Sequence, residues 1–543
     1  MRDETPVLIV GAGLAGLSTA VFLGVHGVPS VVVERHPGLS TQPKARGQMP
    51  TTMEALATAG IAERFTHAAP PGGDRSVMVI AETVTGPILK DFVLEMPDFS
   101  RLSPAPFAAA SQERAERILA DKAAGLGADI RFSTELVSFR QDDEAVIAEL
   151  HDTATGERRT ITARYLIGAD GHKGAIRDMA AIPVHGRRSS RPGRTMFLQF
   201  EADLDVALRG EAFGLFYLQN PALPARAATV VTTDYPGRYV LTAPFEPGDD
   251  PDAEQLVHVV RAACGVPDLD VKILEIAWSS SGEHVTRVAD SFQAGRVLLA
   301  GDAAHLMPPT GGQGGNTAVM DGYHLAWKLA AVLSGTAGPG LLASHDAERR
   351  PYADALAEQQ YANLIQRQSP HLRDGTEAEI LDPAVGLFGY ICPSGAFVPE
   401  DGDQPPLFEN PVTPSGRPGS RAPHVRLARG GTPVSTRDLF GSAFVLLTAG
   451  GRHWTGAVEQ AIRRLGVALD LHVIGDAAGL ADVDGLFLAA YGIMEAGAVL
   501  VRPDGVIARR SRDADAPGNL ERALRHVLDI TPSVIGTAKP RRC

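Results

Sequence analysis

The residues best suited to chemistry near the N-terminus are three glycines and an acid. Gly11, Gly13 and Gly16 stand in Gly11-Ala-Gly13-Leu-Ala-Gly16, between a short apolar run and an apolar-rich helical pattern. In that setting Gly11 permits a tight turn, Gly13 lets the backbone approach a pyrophosphate, and Gly16 lets helix and strand pack closely. The phosphates would meet the positive end of the helix dipole and its free N–H groups. Glu34 follows Gly16 by 18 residues, near the roughly 20 expected of an acid that takes both ribose hydroxyls. Its charge would repel a 2′-phosphate. The pattern therefore predicts FAD or NAD, not NADP, as the resident nucleotide, and does not separate the two.

A second pattern favours a flavin. It reads Gly301-Asp302-Ala-Ala-His305-Leu-Met-Pro308-Pro309-Thr-Gly311-Gly312-Gln-Gly314-Gly315-Asn316. Asp302 at a strand end can bind a polyol hydroxyl. The glycine-rich loop opening a helix makes a positive site, suited to the negative N1–C2=O edge of a reduced flavin.

Elements must position these groups. The run Val7–Val10, the helix pattern from Leu14 to about Gly24 and the run Val28–Val33 form a βαβ unit. Helices are expected from Thr51 into Arg64, from Ser111 to Gly125, and from near Gly314 past Leu333. Strands are expected over Ile130–Phe139, Ala145–Leu150, Ile161–Ile167 and Arg296–Ala300, and a sheet-rich unit over 185–285. A Pro/Gly-rich stretch, 393–423, leads to a last unit. There, strands Phe444–Leu447 and Leu471–Ile474 flank helix Ala457–Leu465. Hairpin Ala498–Arg502/Val506–Arg509 and helix Leu520–Leu528 follow.

Composition sets outer bounds. The chain has 543 residues and a net charge of −13, which argues against nucleic acid or an anionic membrane as partner. Cys264, Cys392 and Cys543 are widely spaced. They suggest no metal site and no disulfide framework, so a reducing cytoplasm is expected. No apolar run is long enough for a membrane span, and the N-terminus lacks a secretory pattern.

With Asp170-Gly171-His-Lys-Gly174-Ala-Ile-Arg177 as a third motif, the chain resembles the flavoprotein aromatic hydroxylases, the family of p-hydroxybenzoate hydroxylase. Within it the nearest likeness is to hydroxylases of aromatic polyketides such as anthracyclines, angucyclines and tetracyclines. The resemblance implies an α/β and α+β fold. A Rossmann-like FAD-binding domain (1–75, 105–180 and 285–395) carries an inserted mixed-sheet substrate domain (76–104 and 181–284). A linker (396–423) leads to a thioredoxin-like C-terminal domain (424–543) without Cys-x-x-Cys. It also implies FAD as cofactor, NADPH or NADH as a transient co-substrate, and O₂. The product is a hydroxylated small aromatic substrate, a polycyclic phenol, formed through a flavin C4a-hydroperoxide. The chain would be a monomer or homodimer.

The roles the resemblance implies run along the chain. Gly11, Gly13, Leu14, Ala15 and Gly16 hold the pyrophosphate, and Asp170 lies near it. Glu34 holds the adenosine ribose with Arg35 beside it, and Leu136 touches adenine. Gln112 contacts the ribityl region and Asp302 binds the ribityl chain. Pro309 lies along the isoalloxazine, Gly315 and Asn316 offer N–H groups to its pyrimidine edge, and Gly314 is a further cofactor-binding residue. The family loop often reads Arg-Ala-Arg-Gly and then Arg-Thr. Here it reads Lys44-Ala-Arg46-Gly47 and then Pro50-Thr51-Thr52, leaving Arg46 or Lys44 for phosphate. Phe213, Tyr217 and Tyr239, with Phe197, Phe216 and Phe245, are candidate substrate-pocket aromatics. His284 and His305 are candidate bases. No metal constellation and no catalytic triad is read. The rival readings are a Baeyer–Villiger or epoxidising flavin monooxygenase, another flavin oxidoreductase, and an FAD-bearing binding protein. A halogenase is disfavoured because Trp278, Trp327 and Trp454 stand alone, without a Trp-x-Trp-x-Ile-like motif.

Overall fold

The apolar run at Val7–Val10 is continuous because it ends a parallel strand covered on both faces. In the computed structural model, which describes residues 3–40, 46–68, 76–92, 98–188, 194–211, 213–246, 248–279, 285–402, 404–475, 479–516 and 518–530, that strand is Asp3–Val10. It pairs in parallel with Arg158–Gly168 on one side and Ser30–Val33 on the other. Val297–Leu299 extends the parallel array beyond Arg158–Gly168, and Asp129–Arg131 extends it beyond Ser30–Val33. Helix Leu14–Val25 crosses from the first strand towards Ser30–Val33. An antiparallel hairpin, Thr134–Gln141 with Val146–Asp152, joins the same sheet through Arg158–Gly168. The register sets Val33, Val10, Gly168 and Leu299 in one row.

Two expected elements are divided by backbone breaks. The strand expected over Ile130–Phe139 is two, parted at Ser133, whose φ is 51°. The helix expected from Thr51 into Arg64 becomes Pro50–Thr58 and Ala62–Ala68, parted at Gly60. Pro50 suits a first helical position because its missing N–H is not needed there.

The sheet-rich stretch forms a seven-stranded sheet. Its order is Lys272–Ser279, Arg194–Glu201, Arg238–Phe245, Ala227–Thr232, Phe213–Gln219, Ser76–Ala81, Ile88–Asp91. All pairs are antiparallel except Phe213–Gln219 with Ser76–Ala81. One face carries a core of Met196, Leu198, Phe200, Phe216, Tyr239 and Leu241, closed by helix Ala253–Cys264.

The fold is thus mixed α/β with several sheets, in two compact units. The first comprises residues 1–326, 348–390 and 408–412 and contains everything described so far. The second comprises 327–347, 391–407 and 413–543. It holds a four-stranded sheet ordered Leu469–Val473, Phe444–Thr448, Ala498–Val501, Ile507–Ser511. The first pair is parallel and the others antiparallel. Helix Gly451–Leu465 starts before the expected Ala457, because Trp454 is fixed by its indole N–H on Ala496 O at 3.0 Å. The Pro/Gly-rich stretch read as a linker contributes buried Ala396, Phe397 and Ala422 to this unit. Proline and glycine there mark irregular backbone with its own packing, not a free tether. No helix among the described residues is long and apolar enough to cross a membrane.

Candidate functional site

The three motifs meet because each follows the carboxyl end of a strand in one row. Glu34 follows Val33, Gly11 follows Val10, Ala169-Asp170 follow Gly168, and Ala300-Gly301-Asp302 follow Leu299. The carboxyl edge of a parallel sheet is where such folds leave a crevice for a ligand. Here it opens into a cavity of about 2600 Å³.

Gly11 makes the turn at φ 107°, where a Cβ would stand 2.2 Å from Ala169 O. At Gly16 a Cβ would fall 1.9 Å from Gly11 O, so helix and turn touch through bare backbone. Gly13 differs: the nearest atom to a Cβ there is Glu116 Oε1 at 3.9 Å, and Gly13 lines the cavity. The carboxylate of Glu34 accepts the Ala12 N–H at 2.9 Å and the His36 N–H at 3.0 Å, and its Oε1 lies 2.6 Å from His36 Nδ1. Burial pushes its pKa up, but these hydrogen bonds outweigh burial and hold it below the usual glutamate value. The turn and the end of the second strand are thereby tied together.

Ser111 caps helix Gln112–Gly125 by accepting the Arg114 N–H. This places Gln112 at the cavity, where its amide donates to buried Glu116 at 2.6 Å. Asp170 accepts the Ile176 N–H at 3.0 Å, while its Oδ1 has no partner. Burial pushes this carboxyl above its usual range. Asp302 and Pro309 are exposed on the cavity, and Leu14, Ala15, Arg35, Leu136, Gly314 and Gly315 also line it.

Beneath the second loop, fully buried Asp321 accepts the Gly301 N–H at 2.9 Å and Arg349 Nε–H at 2.8 Å. Its Oδ2 lies 2.7 Å from His305 Nε2. His305 is itself 1% exposed and does not line the cavity, so it anchors the loop from below. His284, the other candidate base, and Lys44 lie outside the described residues.

The structure adds detail to several of these residues. Arg46 lines the cavity, but its guanidinium is committed. It pairs with Asp234 at 2.7 Å and donates to Ala109 O and Thr232 O. Asp234 also pairs with Arg114 at 2.8 Å. Charge left for a phosphate at Arg46 is therefore small. The Asn316 side chain is likewise spent within the protein, donating to Gly312 O and Gly47 O and accepting the Met49 N–H. Tyr239 turns from the cavity into the core against Phe200. Side chains alternate along a strand, so Phe213 and Tyr217 line the cavity while Phe216 does not; Phe197 and Phe245 also line it.

Helix Ala343–Arg367 brings to the cavity residues that the sequence did not single out, Arg367 among them. Arg367, at the end of helix Ala343–Arg367, donates to Thr310 O at 2.5 Å. Its guanidinium carbon stands 4.8 Å from the Phe92 ring centre and 5.5 Å from that of Tyr217. Its Nε–H has no partner. The only sequence signal was an arginine at the end of a long helix, which equally describes a dipole partner. The arrangement supplies a nucleotide-sized edge with backbone donors and acids, and beside it an aromatic-walled space facing a cation.

Residues 4–360 match the family model for an FAD binding domain. Residues 415–530 match that for the C-terminal region of aromatic-ring hydroxylases. Among similar proteins, aklavinone 12-hydroxylase RdmE of Streptomyces purpurascens is 40% identical over 551 residues, covering 97% of this chain and 100% of the relative. The 4-methyl-5-nitrocatechol 5-monooxygenase of a Burkholderia species is 39% identical over 544 residues, covering 97% and 98%. The solved ternary complex of aklavinone-11 hydroxylase with FAD and aklavinone matches with a TM-score of 0.90 at 39% identity, covering 97% of this chain and 100% of that one.

Proposed function

The chain belongs to the FAD-dependent aromatic-ring hydroxylases, and on that premise we propose that its substrate is a polycyclic phenol of the aromatic polyketide kind. The enzyme is a flavoprotein monooxygenase. The row of strand ends carrying Glu34, Gly11, Asp170 and Asp302 is the observation that bears most weight, because it puts three acids and the glycine turn along one edge of the cavity. A polyketide substrate is supported by the aklavinone bound in the structural relative. Fused aromatic rings also fit a pocket walled by Phe213 and Tyr217.

The cavity residues fit FAD. The open approach at Gly13 and the unpartnered Oδ1 of Asp170 are what a bound cofactor would use. In this reading Gly11, Gly13, Leu14, Ala15 and Gly16 hold the pyrophosphate in a Rossmann-like unit, Glu34 and Arg35 the ribose, and Leu136 the adenine. Gln112 and Asp302 hold the ribityl chain, Pro309 the ring, and Gly314, Gly315 and the Asn316 N–H the pyrimidine edge. The seven-stranded sheet is the floor of the substrate domain, and the second unit is a thioredoxin-like domain without a redox pair. The two cysteines described, Cys264 and Cys392, are both buried and neither is in a disulfide.

Hydride acceptance from NADH or NADPH and activation of O₂ are the chemistry FAD supplies when bound. The chain's part is position, charge and dryness. Arg367 faces the space above Tyr217, where its cation favours the phenolate form of a substrate hydroxyl and so makes the ring a better nucleophile. Arg367→Gln removes that charge. We expect kcat with a phenolic substrate to fall at least tenfold and the pH optimum to move up, with flavin content unchanged. The overall reading is tested by purifying the protein, recording its visible spectrum, and following NADH and NADPH oxidation and product mass with a panel of polycyclic phenols. A protein that cannot take up FAD, or that yields only H₂O₂ with every phenol, would sink it.

A further inference from the structure

Helix Ala343–Arg367 turns one face to the cavity, through Tyr352, Leu356, Gln360, Asn363 and Arg367. The spacing of three or four residues keeps these side chains in line. Two of them are carboxamides in a place where carboxamides cost stability. Gln360 is 3% exposed and Asn363 is 8% exposed, yet neither Gln360 Oε1 nor Asn363 Oδ1 has a hydrogen-bond partner. Gln360 is held firmly. Its backbone carbonyl accepts the Thr310 hydroxyl at 2.7 Å, and its Oε1 would stand 2.3 Å from a Cβ on Gly311. Buried polar atoms are satisfied in the great majority of native structures. Both residues line the cavity while their amide oxygens are enclosed by protein, which leaves the amide N–H groups as the edge that can meet a ligand.

We propose that Gln360 and Asn363 are the specificity determinants of the substrate pocket, reading two oxygens along one edge of a fused-ring phenol. The inference rests on the substrate class proposed above and narrows it to ring systems with hydroxyl or quinone oxygens side by side. Each carboxamide has two N–H donors, from which a ring carbonyl or a phenolic oxygen can accept. Residues three apart on a helix lie about 5–6 Å apart at Cβ, so the pair addresses an edge and not a single atom. Arg367 lies one turn further along the same face, so charge recognition and edge recognition are held by one rigid element.

The test uses the FAD-loaded protein and its variants Gln360→Met and Asn363→Leu, which keep the approximate shape and remove the polar groups. The probes are a dihydroxyanthraquinone with both hydroxyls flanking one carbonyl, and unsubstituted anthraquinone. Binding is read by flavin fluorescence, without turnover. Native protein should prefer the dihydroxy compound. Each variant should bind it about threefold to tenfold more weakly, with affinity for plain anthraquinone no lower. FAD affinity of the apoprotein should be unchanged and the thermal midpoint of the ligand-free protein should not fall, because the amide oxygens have no internal partner to lose. A lowered midpoint would assign the amides to the fold. A loss of FAD affinity with probe discrimination intact would assign them to the cofactor. Equal discrimination by native and variant proteins, or binding of neither probe by native protein, would overturn the proposal. Failure of the hydroxylase reading shows separately, as the absence of oxygenated product.

Discussion

Glu34 does two things with one carboxylate: it closes the glycine turn by accepting the Ala12 N–H, and it stands at the cavity edge. Its pKa lies below the usual glutamate value because the hydrogen bonds from Ala12 and His36 outweigh the opposing effect of burial. A lowered folded-state pKa contributes stability that is complete above the unfolded value and is lost as pH falls through the folded one. The stability that Glu34 contributes to the fold should therefore be complete above the usual glutamate range and be lost at lower pH. Glu34→Gln should weaken FAD binding about tenfold at neutral pH and flatten that loss. Fluorescence titration of the apoprotein measures the first and thermal denaturation across pH the second, and an unchanged affinity would remove Glu34 from the ribose site. This residue was legible in the sequence because a turn, a strand end and an acid are local demands. Arg367 was not, since its significance comes from Phe92, Tyr217 and Thr310, which are far from it along the chain. The pairing of Arg46 was hidden for the same reason: nothing near it in sequence announces Asp234.

At the scale of elements, the order of strands and helices was readable from apolar runs and glycine punctuation. The facing of individual aromatics was not. Side chains alternate with period two, so an error of one residue in register exchanges core for cavity. Phe213–Gln219 sends Tyr217 to the cavity, whereas Arg238–Phe245 sends Tyr239 to the core. The two tyrosines should respond differently to deletion. Tyr239→Ala leaves a sealed void and should cost about 3–5 kcal/mol of stability, with the KM of the remaining folded enzyme unchanged. Tyr217→Ala opens an existing cavity. It should cost clearly less stability and raise KM for the phenolic substrate severalfold. Thermal denaturation beside steady-state kinetics separates the two, and a reversed pattern would refute the assigned facing.

At the scale of the whole molecule, the two compact units keep separate cores, and the second is closed by an ion pair of its own. Arg502 is fully buried, and its Nε–H donates to Asp504 Oδ1 at 2.9 Å. Asp504 Oδ2 accepts the Trp327 indole N–H at 2.9 Å, and the guanidinium carbon stands 5.2 Å from a Trp327 ring centre. The sequence showed only a Pro503-Asp-Gly hairpin turn; that its acid neutralises a buried arginine follows from packing. Removing one partner of a buried pair leaves an uncompensated charge and costs about 3–5 kcal/mol. Asp504→Ala should therefore lower the second unit's melting temperature by on the order of 10 °C. The cavity-lining residues all belong to the first unit, so the temperature at which flavin is released should stay where it is. Calorimetry read beside visible absorbance distinguishes the outcomes. A common shift of both transitions would mean that the units unfold as one, and that the hairpin contributes to holding the flavin as well as its own sheet.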